Sequence, residues 1–315
     1  MGHDKLRKFA ENETFQCLLQ PDCNELLADG FFNLRDHSIK GNWSKRLSEG
    51  PIILELGCGK GEYTIDLAQR NPDRNYIGVD IKGARLWKGA KFATQNRMAN
   101  VAFLRTRVEF ITAFFAPGEV SEVWLTFSDP QFKSANSRLS SPVFLERYRS
   151  FLRKGGLVHL KTDSRFLHEY TRAVCFANAL EVTACTNNLY GHRAGCPTLP
   201  PENLGEKPAG RDTQPGGSIP PEVYEVQTFY EKMFLEQGYD ITYMAFVIDH
   251  DGPFFAPREP SEEERMAPGY DPVAAVEQGI FDTEYWRSVE GPRLLFGHDS
   301  AETRRQKLQA GQHEL

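Results

Sequence analysis

Apolar positions along the chain recur at two alternating spacings. PIILEL (51–56) is a short apolar run between Gly50 and Gly57 and reads as a buried strand. Gly61 to Arg70 then carries helical spacing, with Ile65, Leu67 and Ala68 inward, until Asn71-Pro72-Asp73 stops it. NYIGVD (75–80) predicts a second strand, and Ala84, Trp87, Ala90 and Lys91 mark a helix face running to about Met98. VAFLR (101–105) predicts a third strand, followed by a helix ending near Pro117-Gly118. EVWLTF (122–127) predicts a fourth. Ser141-Pro142 then predicts a helix start, with Ser as cap and Pro at the first helical position. That helix ends before Gly155-Gly156, and LVHLKT (157–162) predicts a fifth strand, with Asp163 or Ser164 able to cap the helix after it. Helical spacing returns at Val223, Val226, Tyr230, Met233 and Phe234, and ITYMAFVI (241–248) predicts a last, strongly apolar strand. Strands alternating with helices in this way imply an α/β fold, a mainly parallel sheet covered on both faces.

Two stretches fall outside this rhythm. Residues 190–222 hold seven Pro and six Gly in 33 positions, which predicts a long loop or insertion. After Asp249 the chain turns Pro-rich and acidic, although GIFDTEYW and RLLF are apolar enough to dock. Near the other end, residues 5–19 predict a short helix, and Phe31-Phe32 are expected to pack on the body. The division is therefore an N-terminal extension (1–50), a body (51–249) with the insertion 190–222, and an acidic C-terminal extension (250–315).

Composition narrows the class. The 315 residues are 40% hydrophobic and 25% charged, ordinary globular values. No apolar run reaches the ~20 residues of a membrane span, and no apolar core follows the first basic residues, so neither membrane insertion nor secretion is expected. The six cysteines form no C-x-x-C pair, so free thiols in a reducing cytoplasm are expected, and no metal site. The formal charge of −6 resides in residues 251–315, which hold seven Lys/Arg and thirteen Asp/Glu; the body is neutral overall. Any nucleic-acid partner would therefore be met by a local basic patch.

The first strand runs into Glu55-Leu56-Gly57-Cys58-Gly59-Lys60-Gly61. Glycines there turn the backbone sharply and let a ligand lie against the main chain. The dinucleotide fingerprint needs a third glycine at 62, where this chain has Glu. Glu55 would repel a pyrophosphate but suits a cationic amino group, which favours an ammonium- and sulfonium-bearing ligand such as S-adenosylmethionine over NAD. Asp80, nineteen residues after Gly61, ends the second strand, where a carboxylate accepts from two ribose hydroxyls. Thr126-Phe127-Ser128-Asp129-Pro130 ends the fourth strand, and Asp163 follows the fifth, both at carboxyl ends where open α/β sheets bind ligands. The loop QFKSANSRLS after Asp129 is polar, with Lys133 and Arg138 as its cations.

Over roughly residues 50–250 the chain resembles the bacterial tRNA (guanine-N7)-methyltransferase family. The resemblance rests on ELGCGKGEYT, YIGVDIKGAR, NVAFLR, WLTFSDPQFK with RLSSPVFLERY, GGLVHLKTD, and Thr228-Phe229-Tyr230-Glu231, similar to the family's Thr-x-Tyr-Glu element. It implies a Rossmann-like, doubly wound class I methyltransferase fold, and transfer of methyl from S-adenosylmethionine to guanine N7 in the variable loop of tRNA. It also implies a cytoplasmic enzyme with tRNA as partner, either a monomer or a homodimer. By the same resemblance Glu55, Gly57, Gly59, Gly61, Asp80 and Asp129 bind cofactor, and Asp129 is also the catalytic position. Lys133, Asp163, Thr228, Phe229, Tyr230 and Glu231 fall at substrate-contacting positions.

Two departures stand out. Arg107 occupies a cofactor-binding position where the family usually has a small acidic or amide residue. A guanidinium cannot accept from the adenine amino group, so the backbone at Thr106 or Val108 is the alternative contact. QFKSANSR replaces a more basic segment, leaving Lys82, Arg85, Lys88, Lys91, Arg147 and Arg149 as other candidates to meet phosphate. A methyltransferase for another substrate and a non-catalytic RNA-binding relative are the competing readings.

Overall fold

The computed structural model describes residues 2–27, 33–191 and 219–290, and within them the apolar runs become strands of a single sheet. In chain order, α1 (Gly2–Asn12), β1 (Leu18–Leu19) and the single turn α2 (Cys23–Leu26) form the N-terminal part. The alternating body comprises β2 (Ile52–Leu56), α3 (Glu62–Arg70), β3 (Asn75–Asp80), α4 (Gly83–Gln95), β4 (Val101–Arg105), β5 (Val120–Thr126), α5 (Pro142–Arg149), β6 (Leu152–Thr162) and α6 (Arg165–Ala177). It is completed by β7 (Val182–Thr186), α7 (Pro221–Glu225), α8 (Phe229–Glu236) and β8 (Thr242–Val247). The C-terminal extension carries α9 (Glu262–Met266), α10 (Pro272–Ala275) and α11 (Thr283–Glu290).

The strand order is β1-β4-β3-β2-β5-β6-β8-β7. Strands β1 to β6 pair in parallel, and β8 runs antiparallel to both β6 and β7. After the short edge strand β1 the chain enters the middle of the sheet at β2, winds outward through β3 and β4, then returns to β5 on the other side. The crevice at the carboxyl ends of β2 and β5 is therefore the topological switch point, where such sheets bind ligands. Every residue of β2 is buried, as a central strand covered on both faces requires. Alternate side chains enter two apolar layers. Leu54, Ile77, Leu104, Val123 and Val158 pack on one side with α5 and α6. Ile53, Tyr76, Phe103 and Trp124 pack on the other with α3 and α4.

Several expectations are corrected. The helix predicted after the third strand is a 3-10 segment, Val108–Ala113. Its run of β-branched and aromatic residues has low helix propensity, and Phe110, Ile111, Phe114 and Phe115 are buried. On α4 the buried stripe is Leu86, Gly89, Ala90 and Ala93, not Ala84 and Trp87, and the helix ends at Gln95. Trp87 instead meets α1, donating its indole N–H to Glu11 at 2.8 Å. Ser141 does not cap α5 with its side chain, because its hydroxyl donates to the Asn136 carbonyl. Of the two candidate caps of α6, Ser164 serves, as expected, accepting from Leu167 N–H at 3.1 Å. Gly155-Gly156 lie within β6, not before it. The predicted 5–19 helix ends at Asn12.

GIFDTEYW does dock. Val276, Phe281, Trp286 and Val289 join the core layer that also holds Phe166 and Tyr170 of α6. Residues 192–218 of the insertion, the Phe31-Phe32 pair and RLLF lie outside the described residues. Among the described residues no helix is long and apolar enough to cross a membrane.

Candidate active site

The glycine turn between β2 and α3 builds one wall of the crevice. Gly57, Gly59 and Gly61 all have left-handed φ, of 79°, 58° and 72°. They differ in surroundings. A methyl group placed on Gly57 or Gly59 meets no atom within 4 Å, whereas one on Gly61 falls 2.5 Å from the Phe103 ring. The first two glycines thus leave their backbone open towards the crevice, and the third lets the helix approach the sheet.

Glu55 sits beneath this turn, 5% exposed. One carboxylate oxygen accepts from the Thr64 amide at 2.8 Å and from the Thr64 hydroxyl, and the other accepts from the Thr126 hydroxyl. Burial pushes its carboxyl up to about 7, against the pull of these donors. Asp80, at the end of β3, accepts from Gly59 N–H at 3.0 Å and from Lys82 N–H at 2.7 Å. It therefore fixes the glycine turn while keeping lone pairs for a ligand. The hydroxyls of Thr106 and Ser128, at the ends of β4 and β5, are buried with no hydrogen-bond partner among the described residues. An open glycine cradle flanked by two carboxylates and two unengaged hydroxyls fits S-adenosylmethionine. Glu55 and Asp80 would hold its amino and ribose ends, and the bound group would supply an electrophilic methyl.

Arg107 is engaged by its own neighbours in the chain. Its guanidinium pairs with Glu109 at 3.2 Å and lies over the Phe110 ring. The buried Thr106 hydroxyl, unpartnered among the described residues, lies beside it in sequence.

Asp129 is exposed at the end of β5, one oxygen accepting from Gln131 N–H at 2.9 Å. It is flanked by two non-glycine residues with left-handed backbone, Phe127 (φ 49°) and Gln131 (φ 48°). Such strain persists only where the surroundings enforce it and gathers at functional sites. Phe127 stacks on Phe234 of α8, with ring centroids 6.2 Å apart. Lys133 is exposed, whereas Arg138 is only 3% exposed. The guanidinium of Arg138 lies 4.2 Å from the Tyr170 ring centroid and 4.7 Å from that of Phe166, so it is no free cation. Asp163 is 2% exposed at the end of β6.

The Thr228–Glu231 element is carried to the glycine turn. Phe229 N–H donates to Glu62 at 2.9 Å, and the Lys60 ammonium lies 5.0 Å from the Phe229 ring centroid. Thr228 caps α8, accepting from Glu231 N–H. Glu231 is fully buried against the equally buried Lys161, at 2.7 Å, and accepts from the Tyr190 hydroxyl. Lys161 also donates to the Val223 and Val226 carbonyls. Phe229 and Tyr230, 57% and 44% exposed, are the members of the element that face outward. No local pattern announces the bonds of Thr64, Thr126, Glu62 and Lys161, whose partners lie between 9 and 167 positions away in sequence. Of the other predicted cations, Lys88 pairs with Glu62, Lys91 with Glu11 and Arg149 with Glu146, and Arg147 bonds the Val143 carbonyl. Lys82 and Arg85 are exposed.

The strand order with its reversed β8, the glycine turn after β2 and the acid ending β3 define a class I methyltransferase architecture. The family model described as "Putative methyltransferase" matches residues 49–193. The chain is 45% identical over 249 residues to the tRNA (guanine-N(7)-)-methyltransferase of Christiangramia forsetii, covering 78% of this chain and 98% of that protein. It is 41% identical over 265 residues to the enzyme of that name from Bacteroides fragilis, covering 84% of this chain and 92% of that protein. The chain belongs to the tRNA (guanine-N(7)-)-methyltransferase family.

Proposed function

We propose that this protein transfers methyl from S-adenosylmethionine to N7 of a guanosine in tRNA, in the variable loop, working in the bacterial cytoplasm. The observation that carries this reading is the open glycine cradle between Glu55 and Asp80, with exposed Asp129 on the neighbouring strand, in a chain of this family.

Guanine N7 has an in-plane lone pair and no proton to lose, so the reaction asks for no strong general base. The work of the chain is placement, which can supply several kcal/mol by fixing a near-attack geometry. Glu55 and Asp80 hold the donor against the backbone of Gly57 and Gly59. Asp129 and Asp163 accept from guanine N1–H and N2–H, a pattern adenine cannot offer. Phe229 and Tyr230 provide an exposed aromatic surface for the target nucleotide, and Thr228 and Glu231 fix the turn that displays it. Lys133 meets phosphate, with exposed Lys82 and Arg85 as further cations for the same task.

The test is methyl incorporation into paired tRNA transcripts that carry either guanosine or adenosine in the variable loop. Incorporation into the guanosine transcript alone is the expected result. Equal incorporation into both, or into neither, would contradict it.

A further inference from the structure

Two residues one turn apart on α11 reach the two loops that carry Asp129 and Asp163. Arg287 donates from Nη2 to the Phe132 carbonyl at 2.7 Å, three residues beyond Asp129. Glu290 accepts from Phe166 N–H at 2.9 Å and from the Ser164 hydroxyl, in the first turn of α6 immediately after Asp163. Phe281, just before α11, closes the aromatic cage around Arg138, its ring centroid 6.0 Å from the guanidinium. Arg138 in turn donates from Nε to the Pro130 carbonyl at 3.2 Å. The loop after β5 is thus tied at Pro130 and Phe132, while its residues 133–137 are exposed.

We propose that α11 is a positioning clamp for the methyl-transfer site, with Arg287 and Glu290 holding the Asp129 and Asp163 loops at a set separation. This rests on the methyltransferase reading above. Trp286 and Val289 already seat α11 in the core, so the Arg287 bond is not needed to dock the helix. What it constrains is the backbone between two left-handed residues and the exposed polar tip, a segment whose strained conformation needs outside support. Near-attack geometry is sensitive to shifts of about 1 Å, so a carbonyl anchor three residues from Asp129 bears on rate more than on binding. Arg287 and Glu290 touch neither donor nor base; they act through the loops they hold.

The test uses the full chain and its Arg287→Ala and Arg287→Lys variants. Four quantities are read: kcat, KM for tRNA, affinity for S-adenosylhomocysteine, and amide hydrogen exchange. For Arg287→Ala we expect kcat to fall about tenfold, with KM and product affinity within about threefold. Exchange should quicken in 130–138 and not in β2 to β6. Arg287→Lys, which keeps a donor, should recover most of the loss. Unchanged kcat and unchanged exchange at 130–138 would overturn the clamp, as would a loss of activity that tracks global unfolding only. If the parent chain transfers no methyl to tRNA, the functional reading fails, while the exchange arm still decides whether α11 holds the loop.

Discussion

A carboxylate buried at the end of a central strand must either meet a cation or give up its charge. Glu55 is in that position, its carboxyl raised to about 7 by burial. In the free chain it is protonated below that pH. An ammonium partner requires the carboxylate, so binding S-adenosylhomocysteine should release a proton near neutrality. Affinity should be flat above pH ~7 and fall by up to about tenfold per pH unit below it. Calorimetry across pH 5–8 checks this; Glu55→Gln should bind more weakly and lose the slope, and a slope that survives that substitution would contradict the contact. Asp129 is the opposite case, exposed and engaged by one backbone amide. Asp129→Ala should abolish methylation while weakening product binding by less than about tenfold. Full turnover by that variant would remove the residue from the mechanism. The placement of the acids was legible, because acids at strand ends fall in register with the glycine turn. The residues that tune them were not. Thr126 lies 71 positions from Glu55, and no local pattern announces the bond.

At the scale of elements, α8 is held to the sheet by a charge pair inside the core. Lys161 and Glu231 are both fully buried, and burial pulls the lysine down and the glutamate up from their ordinary values. Removing one partner strands the other. Glu231→Ala should therefore destabilise the fold by about 3–5 kcal/mol in urea unfolding, and Glu231→Gln by less. A change under about 1 kcal/mol would mean that the pair does not hold α8. Strands β2, β3 and β4 were legible nearly to their ends, since the middle of a parallel sheet demands apolar residues at successive positions. The edge strands were not. β1 has only two residues, and β7 mixes partly exposed Val182, Thr183 and Cys185 with buried Ala184 and Thr186. The 3-10 segment after β4 is hard to tell from a helix in sequence because Phe110, Ile111, Ala113, Phe114 and Phe115 of the run VEFITAFF are all buried, which hides the period that separates helix from turn.

For the whole molecule, the acidic extension is a structural part of the fold through Glu290. Phe254, Val276, Phe281, Trp286 and Val289 complete the core layer over α6. At about 1.5–3 kcal/mol for each large apolar side chain, their loss approaches roughly 10 kcal/mol, comparable to the net stability of a domain. Truncation after His250 should therefore yield protein without a cooperative thermal transition. A truncated chain that melts within a few degrees of the full one would show the extension to be dispensable. The charge reading alone could not foresee this, because the same segment that carries the net −6 also carries the buried aromatics.

The central claim is the identity of the methylated atom. Purified protein incubated with S-adenosylmethionine and unmodified tRNA, followed by nuclease digestion and nucleoside mass spectrometry, reads it directly. The account predicts 7-methylguanosine, formed by the parent chain and absent with Asp129→Ala. Methylation at another guanine position, on another base, or only on protein or small molecules would contradict it.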